Sequence, residues 1–124
     1  MNSTVSLAAI LQQRPDGLYA TPSSMNTGQM GLILDFALAN RLPTIFLEAR
    51  WVSRGGLMSY GIDWLELRRH TAMYVDKILR GTKPADLAVE QPARFELVIN
   101  VKTAKALGLT IHQPLLVRAN EVIQ

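Results

Sequence analysis

Three short apolar runs, Leu18-Tyr19-Ala20, Thr44-Ile45-Phe46-Leu47 and the glycine-bounded stretch from Gly55 to Gly61, bracket one amphipathic segment, and that order leaves few folds open. A strand, a helix and a strand with short joints pair in parallel, the crossover lying on one face of the sheet. The helix is predicted from about Thr27 to Arg41, where Met30, Ile33, Leu34, Ala37 and Leu38 recur at helical spacing. Leu32 and Phe36 add a second stripe, which predicts cover on more than one side, and Leu42-Pro43 ends the helix. The second strand runs into Glu48-Ala49-Arg50-Trp51, and a brief connection through Trp51, Val52 and Ser53 leads to the third. That third run, Gly-Gly-Leu-Met-Ser-Tyr-Gly, can turn tightly at both ends and reads as a buried strand emptying into a loop. An open α/β sheet keeps its ligand site at such a place, beyond the carboxyl ends of its strands.

The rest of the chain extends this α/β pattern. Ser3 to Gln13 predicts a helix with Val5, Ala8, Ala9 and Leu11 at helical spacing, capped by Ser3 or Thr4 and stopped by Arg14-Pro15-Asp16-Gly17. After the first strand, Thr21-Pro22-Ser23-Ser24 is a hydroxyl-rich turn at a strand's carboxyl end. Asp63-Trp64-Leu65-Glu66 has the spacing of a capping box and opens a helix to about Arg80, closed by Gly81 and Pro84. Its expected buried face is Leu67, Thr71, Tyr74 and Ile78, with Ala72, Val75 and Leu79 beside it. Lys83 to Pro92 reads as a polar connector. Phe95 to Ile99 predicts a strand with one face more buried than the other. Asn100 should cap a helix from Val101 to Leu107 that Gly108 ends, and a second short helix should start at Pro114 and carry Leu115, Leu116 and Val122.

Composition narrows the function classes. A chain of 124 residues builds one modest domain, and 48% hydrophobic against 19% charged residues is more apolar material than so small an interior covers, which hints at a partner surface. The net charge of +3 comes from dispersed basic residues, so nucleic acid is not an expected partner. With no cysteine, disulfides, thiolate zinc sites and a cysteine nucleophile are excluded. No apolar run approaches the ~20 residues of a membrane span. The start, Met-Asn-Ser-Thr-Val-Ser-Leu-Ala-Ala-Ile-Leu, lacks the basic leader of a secretory signal, so the sequence as it stands is expected in the cytoplasm. Neither Gly-x-Gly-x-x-Gly, a phosphate-binding Gly-x-x-x-x-Gly-Lys-Ser/Thr, nor Gly-x-Ser-x-Gly occurs, so catalysis and a bound cofactor are not expected.

Four stretches carry a family resemblance. Gly-Gly-Leu-Met-Ser-Tyr-Gly at 55–61, Tyr-Val-Asp-Lys-Ile-Leu-Arg-Gly-Thr-Lys-Pro-Ala-Asp-Leu at 74–87, Phe-Glu-Leu-Val-Ile-Asn-Val-Lys-Thr-Ala-Lys-Ala-Leu-Gly-Leu-Thr-Ile at 95–111 and Leu-Leu-Val-Arg-Ala-Asn-Glu-Val-Ile at 115–123 resemble the substrate-binding proteins of ABC transporters. The resemblance covers nearly the whole chain and only the carboxyl-terminal part of a family member. It implies a periplasmic-binding-protein fold of the type I, ribose-binding-like class: a parallel sheet with flanking helices, here partial and lacking most of the first lobe. It implies capture of a small solute, an amino acid or similar, between two lobes and delivery to a membrane permease in the periplasm, without enzyme activity. Residues 1 to about 58 would belong to the second lobe, 59–62 to the hinge crossing, and 63–124 would pack across the lobes. Left bare, the Leu67, Thr71, Tyr74 and Ile78 face would favour self-association, such as a homodimer. Ile62 and His112 stand where the family commonly has Pro. The alternatives are a ligand-sensing domain of a regulator with the same fold, and a truncated remnant without function.

The candidate ligand-binding residues are Ser23, Ser24, Glu48, Ser59 and Tyr60, with Tyr60 and Gly61 at the hinge. Hydroxyls at a strand end can donate and accept toward a solute, although they equally suit a turn. Glu48 could pair with a ligand amine, against the simpler reading of a solvated loop carboxylate, and Tyr60 could stack on a solute or close the hinge. Trp51 and Trp64 flank the same region, and Trp64 is expected in the core. His70 and His112 are expected to be surface or packing residues, not metal ligands.

Overall fold

The computed structural model of the protein describes residues 3–92 and 94–124, with side chains from residue 7 onward. Its five-stranded sheet has the order β1-β2-β3-β4-β5, with β1 at Leu18–Tyr19, β2 at Thr44–Phe46, β3 at Met58–Ile62, β4 at Phe95–Asn100 and β5 at Glu121–Ile123. β1, β2 and β3 run parallel, in the registers Leu18 with Thr44, Tyr19 with Ile45, Ile45 with Met58 and Phe46 with Ser59. β4 and β5 are parallel to each other, with Val98 beside Glu121 and Ile99 beside Val122. Asn100 N donates to the Leu57 carbonyl at 2.8 Å, while Asp63 N donates to the Arg94 carbonyl at 3.1 Å. The end of one strand thus meets the start of the other, and β4 runs against β3.

Two compact units divide the chain, one of Met1–Gly61 with Glu96–Gln124, the other Ile62–Phe95. In the first, helix α1 (Ser3–Gln12), the short α2 (Ser24–Gly28), α3 (Met30–Ala39), α4 (Ala49–Ser53), α6 (Val101–Ala106) and α7 (Gln113–Arg118) accompany the sheet. Its main core joins Met30, Ile33 and Leu34 of α3 to Phe46 of β2 and Trp51 of α4, with Leu7, Leu18 and Ala20 packed against them. The Phe46 and Trp51 rings stack at 4.5 Å between centroids. A second cluster joins Leu57, Ala104 and Leu107, with Met58 and Ile111 at its margin.

Several expectations change on meeting the structure. The helix expected over 27–41 is two helices broken at Gln29, because Ser23 caps a separate turn: its Oγ accepts from Asn26 N at 3.0 Å. The buried residues of α3, Met30, Ile33, Leu34 and Ala37, form one face; of the second stripe Leu32 is 39% exposed and Phe36 half-buried, and Leu38 of the first is 50% exposed. In α1, Leu7 reaches the core while Ala8, Ala9 and Leu11 face outward; the Val5 side chain and the expected cap lie outside the described residues. The connection through Trp51 is a helical turn, α4, whose Trp51 and Val52 are both buried. β4 is buried by position, not by alternation: its last three residues, Val98, Ile99 and Asn100, are all buried. Val122 lies on β5, a strand that the periodicity missed because three residues are too few to show a period. Asn100 does cap α6, its Oδ1 accepting from Thr103 N at 2.9 Å, and Gly108 follows at φ +75°.

In the second unit, helix α5 (Trp64–Leu79) is capped as its sequence implies: Asp63 Oδ1 accepts from Leu65 N and Glu66 N, both at 3.0 Å. A 3-10 turn, Pro84–Asp86, follows in the connector. Its expected buried face is not buried: no residue of α5 is, Leu67 and Tyr74 being half-buried and Thr71 and Ile78 exposed. Trp64, expected in the core, is 45% exposed. The spacing of an amphipathic helix states which face is apolar, not whether anything covers it. No helix among the described residues is long and apolar enough to cross a membrane.

Candidate functional site

The parallel register places the carboxyl ends of β1, β2 and β3 side by side. Phe46 pairs with Ser59, and the backbone of Leu47 lies against Gly61, so the end of β2 and the end of β3 stay side by side. Tyr19 pairs with Ile45, which brings the segment Ala20 to Ser23 to the same edge of the sheet. Sequence candidates scattered over 23–61 therefore converge, because parallel strands deliver every following loop to one end.

Each candidate has a definite place there. Ser23 is exposed and its hydroxyl oxygen is engaged by Asn26 N, which leaves its O–H free to donate outward. Asn26 is held in turn: its Nδ2 donates to the Thr21 carbonyl at 2.7 Å, tying the loop after β1 to the first turn of α2. Ser24 is exposed in α2. Tyr60 is 54% exposed, on the face of β3 opposite Ser59. Ser59 is turned inward at 1% exposure on the same face as Phe46, and among the described residues its Oγ has no hydrogen-bond partner. The structure thus brings Ser23, Ser24, Glu48 and Tyr60 to the sheet's open end and does not bring the Ser59 hydroxyl there. Gly61 is buried where β3 passes the backbone of Leu47.

Glu48 stands at the start of α4 but does not cap it with its side chain. Its carboxylate pairs instead with Nε of Arg50, Glu48 being mostly covered at 17% side-chain exposure and Arg50 open at 54%. Arg50 is the residue that sequence reasoning missed at this site. The sequence reading runs the second strand into Glu48-Ala49-Arg50-Trp51 and gives Arg50 no role, whereas the structure places it in the first turn of α4; no spacing signals the pair.

A concavity lies wholly within Ile62–Phe95, a cavity of about 160 Å³ walled by Leu67, His70, Thr71, Tyr74, Glu90 and Pro92. His70 sits there between two carboxylates, Nε2 3.4 Å from Glu66 and Nδ1 3.3 Å from Glu90. Glu66, one turn before His70, is a partner that the sequence reading overlooked. Tyr74 donates from its hydroxyl to the Ala88 carbonyl at 2.7 Å, and partial burial, with the Glu90 carboxylate beside it, raises the phenol above its ordinary range. Among the described residues, no group of three or more His, Asp or Glu side chains is arranged to hold a metal.

Comparison with known proteins supplies the context for this sheet end. The chain matches the family described as ABC transporter substrate binding protein over residues 1–123. It is 30% identical over 94 residues to a tyrosine-binding protein of Clostridioides difficile (strain R20291), covering 76% of this chain and 27% of that one. Among solved structures it resembles a conserved domain protein from Vibrio cholerae, with a TM-score of 0.80, 30% identity and cover of 88% of this chain and 37% of the other. It also resembles the ABC domain in complex with L-Trp from Streptococcus pneumoniae, with a TM-score of 0.81, 27% identity and cover of 92% and 40%. The chain thus spans between about a quarter and two fifths of the length of these relatives. The fold is the partial periplasmic-binding-protein fold that the resemblance implied, with a mostly parallel sheet and flanking helices. By its match over almost every residue, this chain belongs to the ABC transporter substrate binding protein family.

Proposed function

We propose that the chain supplies one wall of a cleft that captures a small solute of the amino-acid class for delivery to a membrane permease, outside the cytoplasmic membrane. The observation that carries this is the convergence of Ser23, Glu48 and Tyr60 at the carboxyl ends of the parallel strands. The names of the relatives, one tyrosine-binding and one solved with L-Trp, put aromatic amino acids first in the class. In this reading the half-exposed Tyr60 ring stacks on the solute side chain, Glu48 receives the ammonium group and the Ser23 and Ser24 hydroxyls donate to its oxygens. In the same reading Tyr60-Gly61 acts as the hinge.

Isothermal titration with a panel of L-amino acids tests the reading. Saturable heat with L-tyrosine or L-tryptophan, weakened in Tyr60→Ala, is the expected result. Absence of saturable binding for every amino acid in the panel refutes it.

A further inference from the structure

We infer that Arg50 reads the carboxylate of an α-amino acid while Glu48 takes its ammonium, so that the pair forms a zwitterion-selective site. This rests on the solute-capture reading above and assigns a residue to it. The argument starts from charge. A free amino acid presents one positive and one negative group side by side, and a site that selects it over its amine or acid analogues must answer both. Of the segments of the first unit that follow β1 and β2 or form β3 up to Gly61, namely 20–29, 47–50 and 58–61, only 47–50 contains charged side chains, and these are Glu48 and Arg50. They stand together as an ion pair at the mouth of the site.

Their unequal exposure gives the pair a direction. Glu48 is held against the protein and Arg50 lies open, so the carboxylate is a fixed anion and the guanidinium a mobile arm. An ion pair with one partner in water is only weakly held, and opening it costs little. A bound zwitterion replaces both halves: its ammonium takes the place of the guanidinium on Glu48, and its carboxylate accepts the N–H groups of the displaced Arg50. Every charge is paired before and after, and the new carboxylate contact can be bidentate, which a lysine could not reproduce. The fixed dipole of the pair also sets the solute's orientation, placing its side chain away from 47–50 toward Tyr60.

Titration of the 124-residue chain with L-tyrosine, L-tyrosine methyl ester, which lacks the carboxylate, and N-acetyl-L-tyrosine, which lacks the ammonium, separates the roles. Arg50→Gln is expected to weaken L-tyrosine about tenfold or more, the loss of a charge-assisted hydrogen bond, and to leave the ester bound at least as tightly, because its ammonium no longer competes with the guanidinium for Glu48. Arg50→Lys restores part of the loss. Glu48→Gln is expected to weaken L-tyrosine and the ester alike and to spare the N-acetyl compound. Equal affinity of wild type and Arg50→Gln for L-tyrosine, or equal losses for amino acid and ester, overturns the assignment while leaving solute capture intact. A wild-type chain that binds no amino acid removes both.

Discussion

Gly61 of β3 lies against the backbone of Leu47: a Cβ built on Gly61 would overlap the Leu47 carbonyl oxygen and stand 2.8 Å from its carbonyl carbon. This contact lets β3 run beside the end of β2. Gly61→Ala must therefore part the strands or distort both backbones, at a cost of about 1–3 kcal/mol. Urea unfolding followed by circular dichroism reads the loss. Gly31→Ala is the control, because it meets nothing within 4 Å in helix α3 and should gain up to about 1 kcal/mol. Equal midpoints for Gly61→Ala and wild type would exclude the close approach.

Thr44 holds the start of the third strand through its side chain. Its Oγ1 accepts from Leu57 N at 2.9 Å, and the residue is 4% exposed. Thr44→Val keeps the shape and leaves a buried N–H unpaired, which should cost about 1–3 kcal/mol. Thr44→Ser retains the acceptor and should recover most of that. A valine variant as stable as the serine variant would show that the bond contributes nothing.

Ser59 presents the opposite case, a buried hydroxyl without a partner among the described residues. Removing an unsatisfied polar atom from an apolar setting relieves its desolvation, so Ser59→Ala should stabilise the fold by up to about 1 kcal/mol. A higher midpoint with unaltered solute titration is expected. Clear destabilisation would mean that the hydroxyl bonds to something in solution.

Tyr74 makes the Ile62–Phe95 unit sensitive to alkali. Burial first, and then Glu90, raise its phenol above the ordinary tyrosine value of about 10, so the folded form holds the proton more tightly than the unfolded chain does. The stabilisation is complete below that value and is lost as pH rises past it, when the phenolate loses its bond to the Ala88 carbonyl and faces the Glu90 carboxylate. Unfolding midpoints measured from pH 8 to 11 should fall more steeply for wild type than for Tyr74→Phe. Parallel curves would remove the linkage.

Local chemistry explains which elements were legible in the sequence. Asp63 and Asn100 announced their helices because a capping oxygen needs only its own next turn, and both accept the expected backbone N–H groups. The convergence of Ser23, Glu48 and Tyr60 was legible only as a consequence of parallel pairing. The Arg50 pair was not legible, because nothing in a spacing tells whether an arginine turns back to the carboxylate two residues before it. The same holds for Ser59 and Tyr60, neighbours on one strand, of which one is sealed and the other open.

The sequence by itself determined the first four strands, the helices that Asp63 and Asn100 cap, and the family, since these depend on periodicity, turn chemistry and motifs that act within a few residues. Tertiary structure alone decided burial: the single covered face of α3, the bare α5, the inward Ser59 and the Glu48–Arg50 pair at the sheet's open end. Burial and pairing depend on which distant segment lies across the way, and that is a property of the packed chain, not of any local pattern.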